Sequence, residues 1–137
     1  MKVAVVDGQG GGIGKYITEK LRKNFSEKIE IFAFGTNALA TSAMLKAGAD
    51  QGATGENAIV QNMSEMDIIA GAIGIVVAHA MLGEVTSKMA KAIGKSKAIK
   101  LLLPINRCGI TVIGVEEDSL PHLVDALIIK IKEILKD

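Results

Sequence analysis

The sequence predicts an α/β domain in which helices wind both faces of a mostly parallel sheet. Three observations carry this. Short apolar runs such as Val3-Ala4-Val5-Val6 alternate with longer segments of helical periodicity. The first run passes into a helix through a loop of five glycines. Nearly all the remaining Gly- and amide-rich punctuation falls after the other runs, at Gly35-Thr36-Asn37, Thr54 to Asn57, Gly71 to Gly74 and Asn106-Arg107. In a parallel sheet those positions share one rim. At 137 residues the whole chain, 1–137, reads as one domain with a sizeable core.

Each element has its reason. Residues 2–6 are largely β-branched and uncharged after Lys2, as suits a central strand buried on both faces. Ile13, Ile17, Leu21 and Phe25 fall four apart and form one helix stripe. Residues 29–34 predict a second strand, and residues 38–47 a helix closed by Gly48. Residues 49–53 predict a short third strand, with Thr54 as N-cap of a helix over 55–63. Residues 67–70 predict a fourth strand. The stretch 75–82 fits strand or buried helix, and helix is preferred. Thr86 is the expected N-cap of a helix ending near Gly94, with Met89 and Ile93 inward. Residues 98–103 and 110–115 predict fifth and sixth strands. The segment between them is too short for a parallel crossover, so this pair is expected as an antiparallel edge hairpin. Asp118 or Ser119 caps a final helix. The expected strand order is about 3-2-1-4-5, with the sixth strand at an edge.

The glycine loop carries the chemistry. It reads Gly8-Gln9-Gly10-Gly11-Gly12-Ile13-Gly14-Lys15. Glycines let backbone N–H groups approach a ligand closely. The following helix adds unpaired N–H groups and a partial positive charge. Together they suit a phosphate or pyrophosphate. The strict Gly-x-Gly-x-x-Gly spacing is not met. At the end of strand two, an acid would bind the ribose hydroxyls of NAD. Thr36 and Asn37 stand there instead, as ribose or phosphate ligands or as helix caps. After strand five, Arg107 could clamp a phosphate or carboxylate and lower the pKa of Cys108; a turn residue, a salt bridge between subunits and a partly buried thiol are the plainer readings. The sequence names no catalytic residue.

Composition narrows the function. With three Phe, one Tyr and no Trp, the core is aliphatic. A net charge of +1 gives no reason to expect nucleic acid or an anionic membrane as partner. One cysteine excludes an internal disulfide and fits a reducing cytosol. Met1 leads straight into a strand, so no signal peptide is expected. The uncharged stretch 68–83 falls short of the ~20 residues of a membrane span. His79 and His122 are isolated, so no metal site is expected. Lys88, Lys91 and Lys95 share a helix face that reads as solvated. Ile129 and Ile131 lie about 160° apart around the last helix. One sheet face cannot easily cover both, so a homo-oligomer is expected, built on the sixth strand, that helix or both.

The spacing Gly8-x-x-x-Gly12-Ile13-Gly14 resembles the glycine loop of short-chain dehydrogenases. The Tyr-x-x-x-Lys pair of those enzymes follows their fifth strand; here Tyr16 and Lys20 have that spacing but lie on the first helix. The chain as a whole resembles a family of small bacterial proteins known only as a domain of unknown function. The likeness rests on the loop, on Gly48-Ala49-Asp50-Gln51-Gly52-Ala53-Thr54-Gly55-Glu56-Asn57-Ala58, on Ile73-Gly74-Ile75-Val76, on Leu82-Gly83-Glu84 and on Pro104 to Cys108. It implies a stand-alone, cytoplasmic, Rossmann-like protein. The expected ligand is NAD, NADP or another adenine nucleotide. The expected role is a sensor or oligomeric binding module, with a minimal NAD(P)-dependent oxidoreductase completed by a partner chain as the alternative.

Overall fold

A computed structural model describes residues 1–105 and 108–136 of the chain. The elements run β1 (Lys2–Asp7), α1 (Gly12–Phe25), β2 (Glu30–Gly35), α2 (Ala38–Lys46), β3 (Gln51–Thr54), α3 (Glu56–Asn62), β4 (Ile68–Ala72), α4 (Ser87–Lys95), β5 (Ile99–Leu103) and α5 (Leu120–Lys136). The sheet order is β3-β2-β1-β4-β5, and every neighbouring pair is parallel. The sequence-based order therefore holds.

Strand alternation sends β1 into two cores. Val3 and Val5 join Ile31, Ala33, Ile68 and Ala70 beneath Ile17 and Leu21 of α1 and Val124, Leu127 and Ile131 of α5. Ala4 and Val6 join Phe34 and Ile69 against Ile59 of α3 and Met89 and Ile93 of α4. Each large aliphatic side chain buried this way contributes about 1.5–3 kcal/mol. The chain winds from β1 to β3 on one side and resumes at β4 on the other. The switch between β1 and β4 sits below the glycine loop.

Helix ends follow local chemistry. Asn37 caps α2, its side-chain oxygen accepting from Ala40 N–H at 2.9 Å. The far end of α2 closes through Gly48, at φ 120°, with Ala49 N–H reaching back to Met44 C=O and Gly48 N–H to Leu45 C=O. Thr86 caps α4 through Met89 N–H, and Ser119 Oγ accepts from His122 N–H at the start of α5.

Three expectations are corrected. The sixth strand and its antiparallel hairpin are absent from the described residues: 108–119 run as turns and irregular chain, and β5 is the sheet edge. Gly109 and Gly114 take positive φ, and a turn at 113–114 interrupts the apolar run. Residues 75–82 are not a helix. A 3-10 turn, Ile73–Val76, leads into successive turns in which His79, Met81 and Leu82 take positive φ, a conformation that no right-handed helix accepts. The apolar content there reflects inward packing of Ile75, Ala80 and Val85. Finally, Thr54 does not cap α3. Gly55 occupies the cap, and Thr54 Oγ1 donates to Thr41 Oγ1 at 2.7 Å instead.

The terminal helix splits as its periodicity suggests. Ile131 is fully buried and Ile129 is 58% exposed. Ile131→Ala should cost about 2–5 kcal/mol through lost burial and a cavity. Ile129→Ala in the monomer should stay within about 0.5 kcal/mol. Urea unfolding of the two variants checks the contrast.

Candidate functional site

The glycine loop is built around Asp7, the last residue of β1. Its Oδ1 accepts Gly8 N–H at 2.8 Å and its Oδ2 accepts Gly14 N–H at 2.6 Å. Gly11 N–H closes the turn onto Gly8 C=O at 2.9 Å. One of the open N–H groups of α1 is thereby taken by protein. Among the described residues, the N–H groups of Gly10, Gly12 and Ile13 meet no protein acceptor.

The glycines divide into two kinds. At Gly11, φ is +76° and an added Cβ would sit 2.7 Å from Ala40 Cα. At Gly14 it would meet Met44 Sδ at 2.6 Å and Asp7 Cβ at 2.8 Å. These two hold α1 against β1 and α2. Gly10 and Gly12 are exposed, and a Cβ on either would meet nothing within 4 Å. The open surface of the loop is therefore Gly10 to Ile13, not its whole length.

Gly8 is covered from above. A Cβ there would lie 2.4 Å from Thr36 Oγ1, 2.8 Å from Met81 Sδ and 3.1 Å from Glu84 Oε1. The turns that follow β4 fold back across the rim and place the Glu84 carboxylate over the loop. Its Oε1 accepts from Gln9 N–H at 2.9 Å, Thr36 O–H at 2.6 Å and the Asn37 amide at 2.8 Å. The Asn37 amide also donates to Gln9 C=O at 2.9 Å. Three loops, after β1, β2 and β4, are thus tied through one oxygen atom.

The two carboxyls are shifted in opposite directions. The Thr36 hydroxyl, then the Gln9 N–H and the Asn37 amide, hold Glu84 below its ordinary pKa. Burial raises the Asp7 pKa and outweighs the N–H groups of Gly14 and Gly8 that lower it. The sign of each contribution follows. Glu84 adds stability above the ordinary glutamate value of 4.5, and loses it as pH falls through its lower folded pKa. Asp7 adds stability below its ordinary value of 3.8, and loses it as pH rises through its higher folded one.

The structure brings the loop, Thr36 and Asn37 together at one rim, but commits both side chains to Glu84. Lys15 is exposed one turn into α1. Arg107 lies outside the described residues, and the Cys108 thiol is exposed. Lys20 stacks over the Tyr16 ring, 5.5 Å from its centre, on the flank of α1. Among the described residues no three His, Cys, Asp or Glu gather as a metal site, and no helix is long and apolar enough to cross a membrane. Sequence reasoning passed over Asp7 and Glu84. Glu84 had one signal: it is the only acid between Asp67 and Glu116.

Two outcomes follow from these bonds. Asp7→Asn puts an amide N–H against a backbone N–H in a buried site, so it should cost about 1–3 kcal/mol by denaturant unfolding. Glu84→Gln keeps an accepting oxygen but cannot titrate. From about pH 5 to about pH 3, calorimetry should show the wild-type Tm falling more steeply than that of Glu84→Gln.

Two solved structures are similar to this chain. The crystal structure of a universal stress protein in complex with cAMP is 20% identical, with 73% of this chain and 94% of that chain covered and a TM-score of 0.41. The crystal structure of a dodecameric FMN-dependent UbiX-like decarboxylase from Escherichia coli O157:H7 is 11% identical, with 100% and 95% covered and a TM-score of 0.45. No curated protein matches the chain. One family, described as a domain of unknown function (DUF3842), matches residues 2–136, a span that holds the glycine loop, Thr36, Asn37 and Glu84; the chain belongs to that family.

Proposed function

We propose that this rim binds a nucleotide, NAD or another adenine nucleotide, and that the protein is a cytoplasmic sensor or oligomeric binding module. One observation carries the reading: Glu84 joins the glycine loop, through Gln9 N–H, to Thr36 and Asn37, and so sets a carboxylate on the same rim as the open N–H groups. The amides of Gly10, Gly12 and Ile13 favour phosphate at the start of α1. Glu84 Oε1 is held by three donors, which leaves Oε2 to accept from a ribose hydroxyl. Glu84 thus supplies, from beyond β4, the acid missing at the end of β2. The same carboxylate would repel the 2′-phosphate of NADP, so the reading favours NAD of the two. Thr36 and Asn37 act through Glu84, as residues that position it.

A binding role is preferred to the alternative, an oxidoreductase completed by a partner chain. Asp7 spends both oxygens on the loop backbone. Glu84 is held in its ionised form with its pKa lowered, which makes it a weak base near neutral pH. Self-association belongs to the same reading, because Ile129 stands exposed on α5 and β5 is an edge strand.

Isothermal titration with NAD, NADP, ATP, ADP and CoA tests the proposal. Heat is expected with NAD or an adenine nucleotide, and more weakly with NADP. Gly12→Ala should fold within about 0.5 kcal/mol of wild type yet weaken binding at least about tenfold, or 1.4 kcal/mol. Glu84→Gln should narrow the gap between NAD and NADP. No heat and no thermal shift at millimolar ligand would count against nucleotide binding. Turnover of NAD(P)H by the purified protein would favour the oxidoreductase.

A further inference from the structure

On the sheet face away from α1 and α5, helices α3 and α4 enclose a groove of about 790 Å³. Val60 and Met63 line it on the α3 side, and Lys88, Lys91, Ala92, Lys95 and Lys97 on the α4 side. Val60 is 37% exposed, and all four lysines are exposed. No acidic residue lines the groove, and among the described residues none of these lysines forms an ion pair. An apolar lining beside a row of lysines on α4 suits a segment that is apolar first and acidic next.

The chain itself has such a segment. Between β5 and α5, residues 110–118 read Ile-Thr-Val-Ile-Gly-Val-Glu-Glu-Asp. Ile113 is 89% exposed, Val115 43% and Ile110 39%. Three acids, Glu116, Glu117 and Asp118, follow directly and are exposed, and Asp118 Oδ1 also meets Ser119 N–H and the His122 ring. Its first six residues, 110–115, are the stretch expected from sequence as a sixth strand, and among the described residues they pair with no strand.

We infer that residues 110–118 of one copy dock in the α3–α4 groove of a second copy, Ile113 and Val115 on Val60 and Ala92, and the acidic run against the lysine wall. The inference rests on the self-association proposed above and names a contact for it that is independent of α5. Burying Ile113 removes the most exposed isoleucine of the described chain from water. The charges set register and partner choice more than affinity. The contact is heterologous: groove and segment are different surfaces. It closes as a two-fold pair if each copy gives and receives, and otherwise runs on as a chain or ring.

Sedimentation equilibrium and light scattering over a wide concentration range test it, using the full chain in three forms. Wild type should exceed the 14.4 kDa monomer. Lys91→Glu with Lys95→Glu removes the groove, and Ile113→Asp removes the segment. Each should lose association at least tenfold while its melting temperature stays near that of wild type. Mixing the two variants should restore a heterodimer, because one keeps an intact segment and the other an intact groove. Association should weaken in about 1 M salt, where charges beyond ~3 Å are screened. A wild type that remains at 14.4 kDa overturns both this inference and the self-association it rests on. An oligomer that survives both variants, and dissociates with Ile129→Lys, overturns this inference alone.

Discussion

The rest of the rim depends on the clamp between Asp7 and the first turn of α1. A strand that enters a helix through glycines has little to fix the angle between them. Here a buried carboxylate spans the gap, one oxygen on each side of the turn. An ionised carboxylate accepts at both oxygens, so one side chain satisfies two backbone donors that would otherwise be buried unpaired. The clamp also needs Gly14, because a side chain there would collide with Asp7 and Met44. Asp7 and Gly14 therefore specify one another. Their spacing sets where Gly10, Gly12 and Ile13 stand open.

A second balance is laid over the first. The segment that carries Glu84 holds His79, Met81 and Leu82 at positive φ. Such conformations cost about 1–3 kcal/mol each outside glycine. The opposing terms are visible. Ala80 and Val85 are buried, the turn is closed by His79 N–H to Val85 C=O and Val85 N–H to Ala80 C=O, and Glu84 gathers three donors. Of these, the Glu84 bonds alone are charge-assisted, and they join the segment to the loops after β1 and β2. Leu82, at the tip, is 99% exposed and contributes nothing inward.

The fold was legible because its determinants are periodic and local. Alternating β-branched runs, the Ile13-Ile17-Leu21-Phe25 stripe and caps such as Thr86 lie within a few residues of what they specify. What escaped was non-local. The 75–82 run looks helical by apolar content alone, and its left-handed turns come from packing onto the rim. The 110–115 run has strand composition, but β-propensity reports fit to a neighbouring strand, and among the described residues this run pairs with none. At the site, Gly8 to Lys15, Thr36 and Asn37 were legible as a group. Glu84 was not, because its meaning comes from Gln9, 75 positions earlier.

That separation has a physical consequence. An acid at the end of β2 would be rigid, held by its own strand. Glu84 instead arrives on strained turns and is held by donors on two other loops. Any ligand that engages the second carboxylate oxygen must find those turns closed, so its affinity carries the fraction of molecules in which they are closed. By reciprocity the ligand stabilises the closed turns by the same factor. Protonation acts on the same equilibrium from the other side. Below the ordinary glutamate value the carboxyl gives up its advantage with Thr36, Gln9 and Asn37, and closure weakens. Asp7 is buried beneath the loop, and that burial raises its pKa, the opposite direction to Glu84. The rim therefore separates a fixed half, the amides of Gly10 to Ile13, from a conditional half, Glu84. On the proposed nucleotide reading, a phosphate alone would meet the first, and a nucleoside would have to meet the second as well.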